Sequence, residues 1–240
     1  MKRVCLKKRP RFIIFAGVME ISFEPAIKDA APLLTVMCVE ADIDNGPTSD
    51  TLWSEICGCA AGIASSTPME MVRHRPAIDA TRAVYKTLGK DPNRYRPSAE
   101  ALCRRAVKGL ELYRTLTVID LINLLSMVTG HSIGGFDADK IAGDRLILGV
   151  GRAGEPYEAI GRGLLNIEGL PVYRDTVGGV GTPTSDNDRT KLSPDSRRLL
   201  MTVNMYGSSE VTPEEVEAMA RRLLTDYAGS KDIHVRYYRP

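Results

Sequence analysis

The segment from Val118 to Thr129 most constrains how this chain can fold, because its residues are apolar nearly all round a helix. Gly130 follows directly and is a typical helix stop. A helix that lacks a polar face is normally buried on every side. The sequence therefore predicts a sizeable core in which this helix is surrounded by other elements.

Helical patterns dominate the first half of the chain. We predict helices over 49–65 and 76–88, and another that begins at Ser98 as its N-cap. A last helix should begin at Thr212, with Pro213 and a glutamate that completes a capping box, and run to about residue 228.

Strand patterns dominate the second half. Strands are predicted at 33–39, 145–150, 164–167, 170–173, 199–204 and 233–238. The third and fourth of these flank Glu168-Gly169, which indicates a hairpin turn. Helices followed by strands and a final helix favour an α+β fold over an alternating α/β fold.

Composition limits the classes of partner and cofactor. The net charge of +2 is too small for a protein that binds nucleic acid by bulk charge, so any RNA contact must come from local clusters. Cys57-Gly58-Cys59 has no matching cysteine pair, and a zinc site needs four ligands. We therefore predict no metal and no organic cofactor. The odd number of cysteines, 5, indicates a reducing compartment.

The N-terminal residues imitate a secretory signal, with basic residues ahead of the apolar run Phe12–Met19. That run is short, no cleavage site follows it, and no segment approaches the ~20 apolar residues of a membrane span. We expect a cytoplasmic protein that contacts no membrane. Residues 1–18 are expected to be disordered or a spurious extension ahead of Met19, with residues 19–240 forming a single domain.

The predicted buried helix carries a possible site. Asp120 and Asn123 are three residues apart and so lie on one face. Polar side chains are costly inside an apolar helix unless each has a partner. Two interpretations remain open: the pair caps neighbouring loops, or Asn123 faces a pocket and binds substrate.

Two glycine-containing segments are further candidates, since glycine permits close approach of a ligand to the backbone. One includes His131 and Gly134-Gly135; the other runs from Gly178 to Thr190 and carries Asp186 and Asp188. The second segment is not a P-loop, because the terminal Gly-Lys-Ser/Thr is missing. The alternative interpretations are that His131 is an ordinary loop histidine and that Asp186 to Asp188 form an acidic surface turn.

Basic residues form two clusters. In the first, Tyr95 could stack on a base. This cluster comprises Arg94, Tyr95, Arg96, Arg104, Arg105 and Lys108, and the second comprises Arg189, Lys191, Arg197 and Arg198. We predict RNA contacts for Arg94, Tyr95, Arg96, Arg104 and Arg105, the alternative being a solvated surface.

Two segments, Arg94–Arg105 and Val118–Ile141, resemble the stand-alone relatives of the B3/B4 editing domain in the beta subunit of phenylalanyl-tRNA synthetase. The resemblance covers roughly residues 90–205. It implies a β-sandwich-like core covered by helices, and a domain that hydrolyses tRNA carrying the wrong amino acid.

The resemblance also implies site residues. It places Asn123 in the editing pocket, and it places Asp186 to Asp188 at about the position where the synthetase domain has a pocket glutamate. Asn123, Asp186 and Asp188 are therefore the expected catalytic residues. The family's pocket histidine, aligned on Phe136-Asp137, corresponds to Gly134 here. Substrate-binding roles are expected for Asp120, His131, Gly134, Gly135, Gly179 and Gly181.

The implied function is binding of the aminoacyl end of tRNA and hydrolysis of a mischarged amino acid in trans. Because the histidine position holds glycine, two alternatives stay open. One is a non-catalytic module that binds tRNA or a free amino acid. The other is a hydrolase of another small aminoacyl ester or amide. The sequence predicts no oligomeric state.

Overall fold

The structure is a computed structural model that describes residues 19–240. The extension predicted for residues 1–18 lies outside the described residues. The helices are α1 (Pro25–Ala30), α2 (Asp50–Ser66), α3 (Pro76–Thr87), α4 (Ser98–Val107), α5 (Thr117–Thr129) and α6 (Pro213–Ala228). The strands are β1 (Glu20–Phe23), β2 (Thr35–Asp42), β3 (Ile133–Asp137), β4 (Arg145–Val150), β5 (Glu158–Ala159), β6 (Gly163–Leu164), β7 (Pro171–Arg174), β8 (Gly179–Gly181), β9 (Arg198–Met205) and β10 (Ile233–Tyr238).

Two four-stranded sheets form the centre of the molecule. One has the strand order β1-β4-β7-β8, with β1 and β4 parallel, and the other has the antiparallel order β10-β2-β9-β3. Apolar side chains from both sheets, such as Leu148 of β4 and Phe136 of β3, meet in a shared buried core. The predicted α+β class with a sandwich-like core is confirmed.

The second sheet is covered on its outer face by helices. Residues of β2 and β9 pack in one buried cluster with residues of α2, α4, α5 and α6. Helix α5 contacts α2, α4, α6 and β3, and only Ile119, Asn123 and Val128 of its side chains are not buried. Gly130 ends the helix in the left-handed conformation, with φ of 75°. The predicted burial of this helix is confirmed.

The predicted hairpin around Glu168-Gly169 is wrong. Strand β7 pairs with β4 and β8, and the short strand β6 pairs with β5 instead. The loop between β6 and β7 is held by the Lys90 ammonium, which donates to the carbonyl of Asn166 at 3.0 Å and also to that of Glu168. Ile167 packs into a small core of its own, so its apolar character reflects burial under a loop and not strand pairing.

Two local predictions also need correction. Ser98 is the first residue of α4, and Pro97 is its N-cap. Strand β3 was predicted only as a glycine-containing site segment. It is a strand because it pairs with β9, where Gly134 faces Thr202.

Candidate functional site

A cavity of about 230 Å³ lies between α4, α5, β3 and the segments that follow β5 and β8. We call it the α4–α5 cavity. It is lined by Ser98, Leu102, Ile119, Ile122, Asn123, Ser126, Ile133, Gly135, Ile160, Thr182, Ser185, Asp186, Lys191 and Leu192. Aliphatic side chains supply much of its wall, and a few polar groups face into it.

Helix α5 contributes one complete face to the cavity. Ile119, Ile122, Asn123 and Ser126 follow the spacing that places side chains on one side of a helix. The Ser126 hydroxyl is already used, because it donates to the carbonyl of His131 at 2.6 Å. The Asn123 amide makes no hydrogen bond within residues 19–240. Its donor and acceptor are therefore both available to a ligand.

Asp186 faces Asn123's cavity from the loop after β8. One carboxylate oxygen accepts from the backbone N–H of Gly135 at 3.1 Å. Burial raises the pKa of Asp186 from 3.8 to about 7, and the Gly135 N–H offsets only part of that rise. The site thus holds a carboxyl group that exchanges its proton near neutral pH.

The two glycines of β3 face opposite ways. A Cβ on Gly135 would lie 2.5 Å from Cδ1 of Ile122, on the helix side that forms the cavity. A Cβ on Gly134 would lie 2.5 Å from Cζ of Phe136 and 3.0 Å from Oγ1 of Thr202, on the sheet-core side. Gly135 therefore allows α5 to approach the strand, and a histidine at position 134 would not enter the cavity.

Gly179 and Gly181 of β8 pack closely against aromatic rings next to the cavity. A Cβ on Gly179 would meet the ring of Tyr157 at 2.7 Å, and one on Gly181 would meet Phe136 at 2.6 Å. Gly181 also bridges to Asp186 through the backbone. Neither glycine is among the residues that line the cavity.

Asp188 is not among the residues that line the cavity. Its carboxylate pairs with the ammonium group of Lys191 at 2.7 Å, and Lys191 itself lines the cavity. Asp186 and Asp188 are two positions apart in the chain but differ in their surroundings. Asp186 faces into the cavity, whereas Asp188 makes an exposed ion pair.

Asp120 and His131 lie away from the cavity. The Asp120 carboxylate accepts from both the backbone N–H and the hydroxyl of Thr115, at 2.9 and 2.7 Å, and also from the Thr48 hydroxyl. This matches the capping alternative for Asp120. The His131 ring contacts Ser209 at 3.1 Å, and burial lowers its pKa to about 4, so the imidazole is neutral at pH 7.

The predicted RNA-binding arginines are only partly free. Arg96 and Arg104 approach the buried Glu100 carboxylate at 3.5 and 3.8 Å. Arg105 lies over the ring of Tyr113, 4.3 Å from its centroid. The Tyr95 ring is covered on one face by Lys90, at 3.7 Å. Arg94 is exposed and has no ion pair within the described residues.

Several lining residues were not anticipated from the sequence, among them Leu102, Ile160 and Leu192. Leu102 belongs to the apolar face of α4, and most helices have such a face. Ile160 follows a two-residue strand, too short to show a periodic pattern. No local signal marked these residues.

The described part of the chain shows no group of His, Cys, Asp or Glu residues arranged to hold a metal ion. None of the helices formed by residues 19–240 has the length and apolar character needed to cross a bilayer.

One protein family matches this sequence. The B3/4 domain family matches residues 80–226. A solved N-terminal fragment of the phenylalanyl-tRNA synthetase beta subunit from Pyrococcus horikoshii is similar at 12% identity and a TM-score of 0.45. The alignment covers 93% of this chain and 56% of that fragment, so the chain spans a little over half of the fragment's length. No curated protein matches the sequence. Because the family match covers more than half of the chain, this protein belongs to the B3/4 domain family.

Proposed function

We propose that this protein binds the aminoacyl end of tRNA and hydrolyses a wrongly attached amino acid in trans. One observation carries the proposal: within a B3/4 domain, Asn123 and Asp186 line one small cavity, and both keep hydrogen-bonding capacity that the described residues do not use. Both side chains are half-buried at the cavity wall, so their unused donors and acceptors are accessible to a ligand.

The dimensions and the lining of the α4–α5 cavity suit one amino acid. Its volume of about 230 Å³ is below the ~300–1,000 Å³ of pockets that bury drug-sized molecules. The aliphatic wall, which includes Ile119, Ile122 and Leu192, can pack against an amino-acid side chain. The Asp186 carboxylate can accept a hydrogen bond from the α-ammonium group, whose charge would favour the ionised form.

The reaction is the hydrolysis of an ester. Water adds to the aminoacyl carbonyl carbon, and the bond to the ribose oxygen breaks. The products are a free amino acid and a tRNA with a free ribose hydroxyl. Asn123 can donate to the carbonyl oxygen as negative charge develops on it. Asp186, ionised beside the α-ammonium group, can accept a proton from the attacking water and return it to the leaving ribose oxygen.

Asp188 has a supporting part in this proposal. Its ion pair with Lys191 holds the lysine at the rim of the cavity. A cation there is suited to the phosphate next to the aminoacylated ribose. We therefore assign Asp188 to the rim and the chemistry to Asn123 and Asp186. The proposal also places the protein in the cytoplasm, where aminoacylated tRNA is found.

The proposal is tested with a panel of tRNAs, each charged with an amino acid that is not its own. At least one should be deacylated faster than in buffer. Asn123→Ala should slow that reaction by roughly a hundredfold, since loss of one preorganised donor costs ~10²–10³ in rate. Asn166→Ala, in an exposed loop, is the matched control and should keep full activity.

Melting of each variant must be measured beside its activity. A folded Asn123→Ala variant with the wild-type rate would remove Asn123 from the site. A wild-type protein that is inert on the whole panel would remove the hydrolase.

One observation favours a second candidate, a non-catalytic module that binds tRNA or an amino acid. The ionisable side chains among the described residues that line the cavity are Asp186 and Lys191, and no imidazole is among them. Calorimetric titration with aminoacylated tRNA separates the two functions. Tight binding with an unchanged ester half-life would identify the binding module.

A further inference from the structure

A short hairpin borders the α4–α5 cavity. It consists of β5, β6 and the loop 160–162 between them. Ile160 lines the cavity and is also 41% exposed. The backbone N–H of Ile160 donates to the carbonyl of Asp186 at 3.1 Å, and Ala159 bridges to Asn187. Backbone hydrogen bonds therefore hold the hairpin against the segment that carries the proposed catalytic carboxylate. The outer surface of the hairpin faces solvent.

The outer surface of the hairpin has an unusual composition. Leu164 is 87% exposed, the largest exposure among the exposed large apolar side chains of residues 19–240. Arg162 is exposed, and its guanidinium has no partner within the same described residues. Gly161 and Gly163 flank it with φ of 67° and 69°. These left-handed residues form a tight loop, in which Arg162 lies two positions after Ile160 and two before Leu164.

This pattern matches the chemistry of a nucleotide. When an aminoacyl group enters the cavity, the ribose that carries it must lie at the cavity mouth, with its base and phosphate beside it. The faces of a base are apolar and pack on apolar side chains, whereas phosphate oxygens pair with a guanidinium. Glu158, opposite Leu164 in the strand pair, can accept a hydrogen bond from a hydroxyl or amino group.

We infer that this hairpin docks the 3′-terminal nucleotide of the RNA whose aminoacyl group occupies the α4–α5 cavity. The inference rests on the proposed function. The base packs on Ile160 and Leu164, and the phosphate pairs with Arg162. The hairpin thereby distinguishes an RNA-linked ester from a free amino acid or a simple ester.

The test compares two substrates of one amino acid, the mischarged tRNA and the amino-acid methyl ester. Arg162→Ala and Leu164→Ser should each lower kcat/KM on the tRNA by about tenfold, which corresponds to ~1.4 kcal/mol. Neither should change the rate on the methyl ester, because that probe has no nucleotide. Arg145→Ala and Leu33→Ser, which alter exposed residues outside the cavity lining, are the matched controls and should leave both rates unchanged.

Salt dependence separates the two contacts. Arg162→Ala should flatten the log–log dependence of tRNA affinity on salt by about 0.7, the value for one phosphate of a single strand. Arg162→Lys should retain the slope, and Leu164→Ser should leave it unaltered, since a base contact releases no counterion.

Three results would overturn the inference. Folded variants with wild-type rates on the tRNA would show that the hairpin does not contact it. Equal losses on the tRNA and the methyl ester would show that the hairpin acts on the amino acid instead. A wild-type protein inert on every mischarged tRNA would remove the proposed function and this inference together. If the wild-type protein is active on a mischarged tRNA, either of the first two results overturns this inference alone and leaves the proposed function in place.

Discussion

Helix α4 has two polar neighbourhoods that differ in how their groups are satisfied. On one side, Ser98 and Leu102 face the α4–α5 cavity. There the Asp186 carboxylate accepts a single hydrogen bond among the described residues, from the backbone N–H of Gly135. On the other side, the carboxylate of Glu100 is buried and is bonded to the Arg82 guanidinium at 2.7 Å. Two further arginines approach Glu100 at 3.5 and 3.8 Å.

The difference separates polar groups whose partners lie within the protein from polar groups that are available to a ligand. Burying a charge is costly, and the protein compensates that cost at Glu100 with surrounding guanidinium groups. At Asp186 it does not, and the pKa rises to about 7 as a result. A polar group left short of partners at a cavity wall is available to a ligand, whereas one with every partner in place stabilises the fold.

The same contrast recurs within α5. Asp120 and Asn123 share a face of the helix, yet Asp120 accepts three hydrogen bonds from Thr48 and Thr115. Asn123 has none within the described residues. Spacing alone could not separate these two residues, because the partners of Asp120 lie outside the helix, at Thr115 and at Thr48, which is 72 positions earlier in the chain.

The largest loss of unfolding free energy should follow from removing the Glu100 carboxylate, whose partners are all in place. Glu100→Ala leaves the buried Arg82 guanidinium without its counter-ion, and removal of one partner of a buried pair costs ~3–5 kcal/mol. For a domain of this size that corresponds to a fall in Tm of roughly 6–20 °C. Urea denaturation of the variant measures the loss directly.

Arg96→Ala is the matched variant for that measurement. The Arg96 side chain is 41% exposed and approaches the same carboxylate at 3.5 Å, so its loss should cost ~1 kcal/mol or less. Equal losses for the two variants would show that burial does not determine the strength of this cluster.

A somewhat smaller effect is expected at the start of α5. Asp120→Ala removes the acceptor of three hydrogen bonds and leaves the Thr115 N–H without its partner, which should cost ~2–3 kcal/mol. Asn123→Ala should stay within about 0.5 kcal/mol of wild type, because no protein hydrogen bond is lost. Thermal melting of the two variants compares them. If Asn123→Ala were the less stable of the two, Asn123 would be a structural residue.

Local patterns predicted the fold best where burial is set by one element. The all-apolar character of Val118–Thr129 and the stop at Gly130 were sufficient to predict the buried α5. Strand β3 was missed, because Gly134 and Gly135 have little strand propensity and only pairing with β9 makes them a strand. The predicted hairpin at Glu168-Gly169 failed for the converse reason: apolar residues there pack under a loop.

The site was predictable in part. Asn123 and Asp186 were proposed from a family resemblance, and the fold brings both to one cavity. Ile160 could not be proposed, since its position depends on a backbone bond to Asp186. The direction of Gly134, away from the cavity, follows from the alternation of side chains along a strand whose existence was not predicted.

The contrast between the two carboxylates can be sharpened with pH. The pKa of Asp186 is raised from 3.8 to about 7 in the folded protein. The contribution of the Asp186 carboxyl group to the unfolding free energy is therefore fully present below pH 3.8 and is lost as the pH rises through 7. At ~1.4 kcal/mol per pH unit up to the folded pKa, the loss between pH 5 and pH 8 should be roughly 2–3 kcal/mol, and Asp186→Asn should not show it. The difference in unfolding free energy between wild type and variant, measured from pH 5 to pH 8, isolates this carboxyl from the other titrating groups. Parallel stability curves would show that Asp186 is ionised throughout.

The smallest effect concerns RNA, and it applies the same reasoning to the predicted RNA-binding arginines. Arg104 is engaged by the buried Glu100, at 3.8 Å, whereas Arg94 is exposed and has no ion pair within the described residues. An arginine that already neutralises a carboxylate releases fewer counterions when RNA binds. Arg94→Ala should therefore flatten the log–log salt dependence of tRNA affinity by about 0.7, and Arg104→Ala should change it by much less. Affinities measured for both variants across a series of salt concentrations provide the slopes. If Arg104→Ala flattened the slope as much as Arg94→Ala, its pairing with Glu100 would not limit its contact with phosphate. The division between structural and ligand-binding groups would then hold for the cavity but not for the surface.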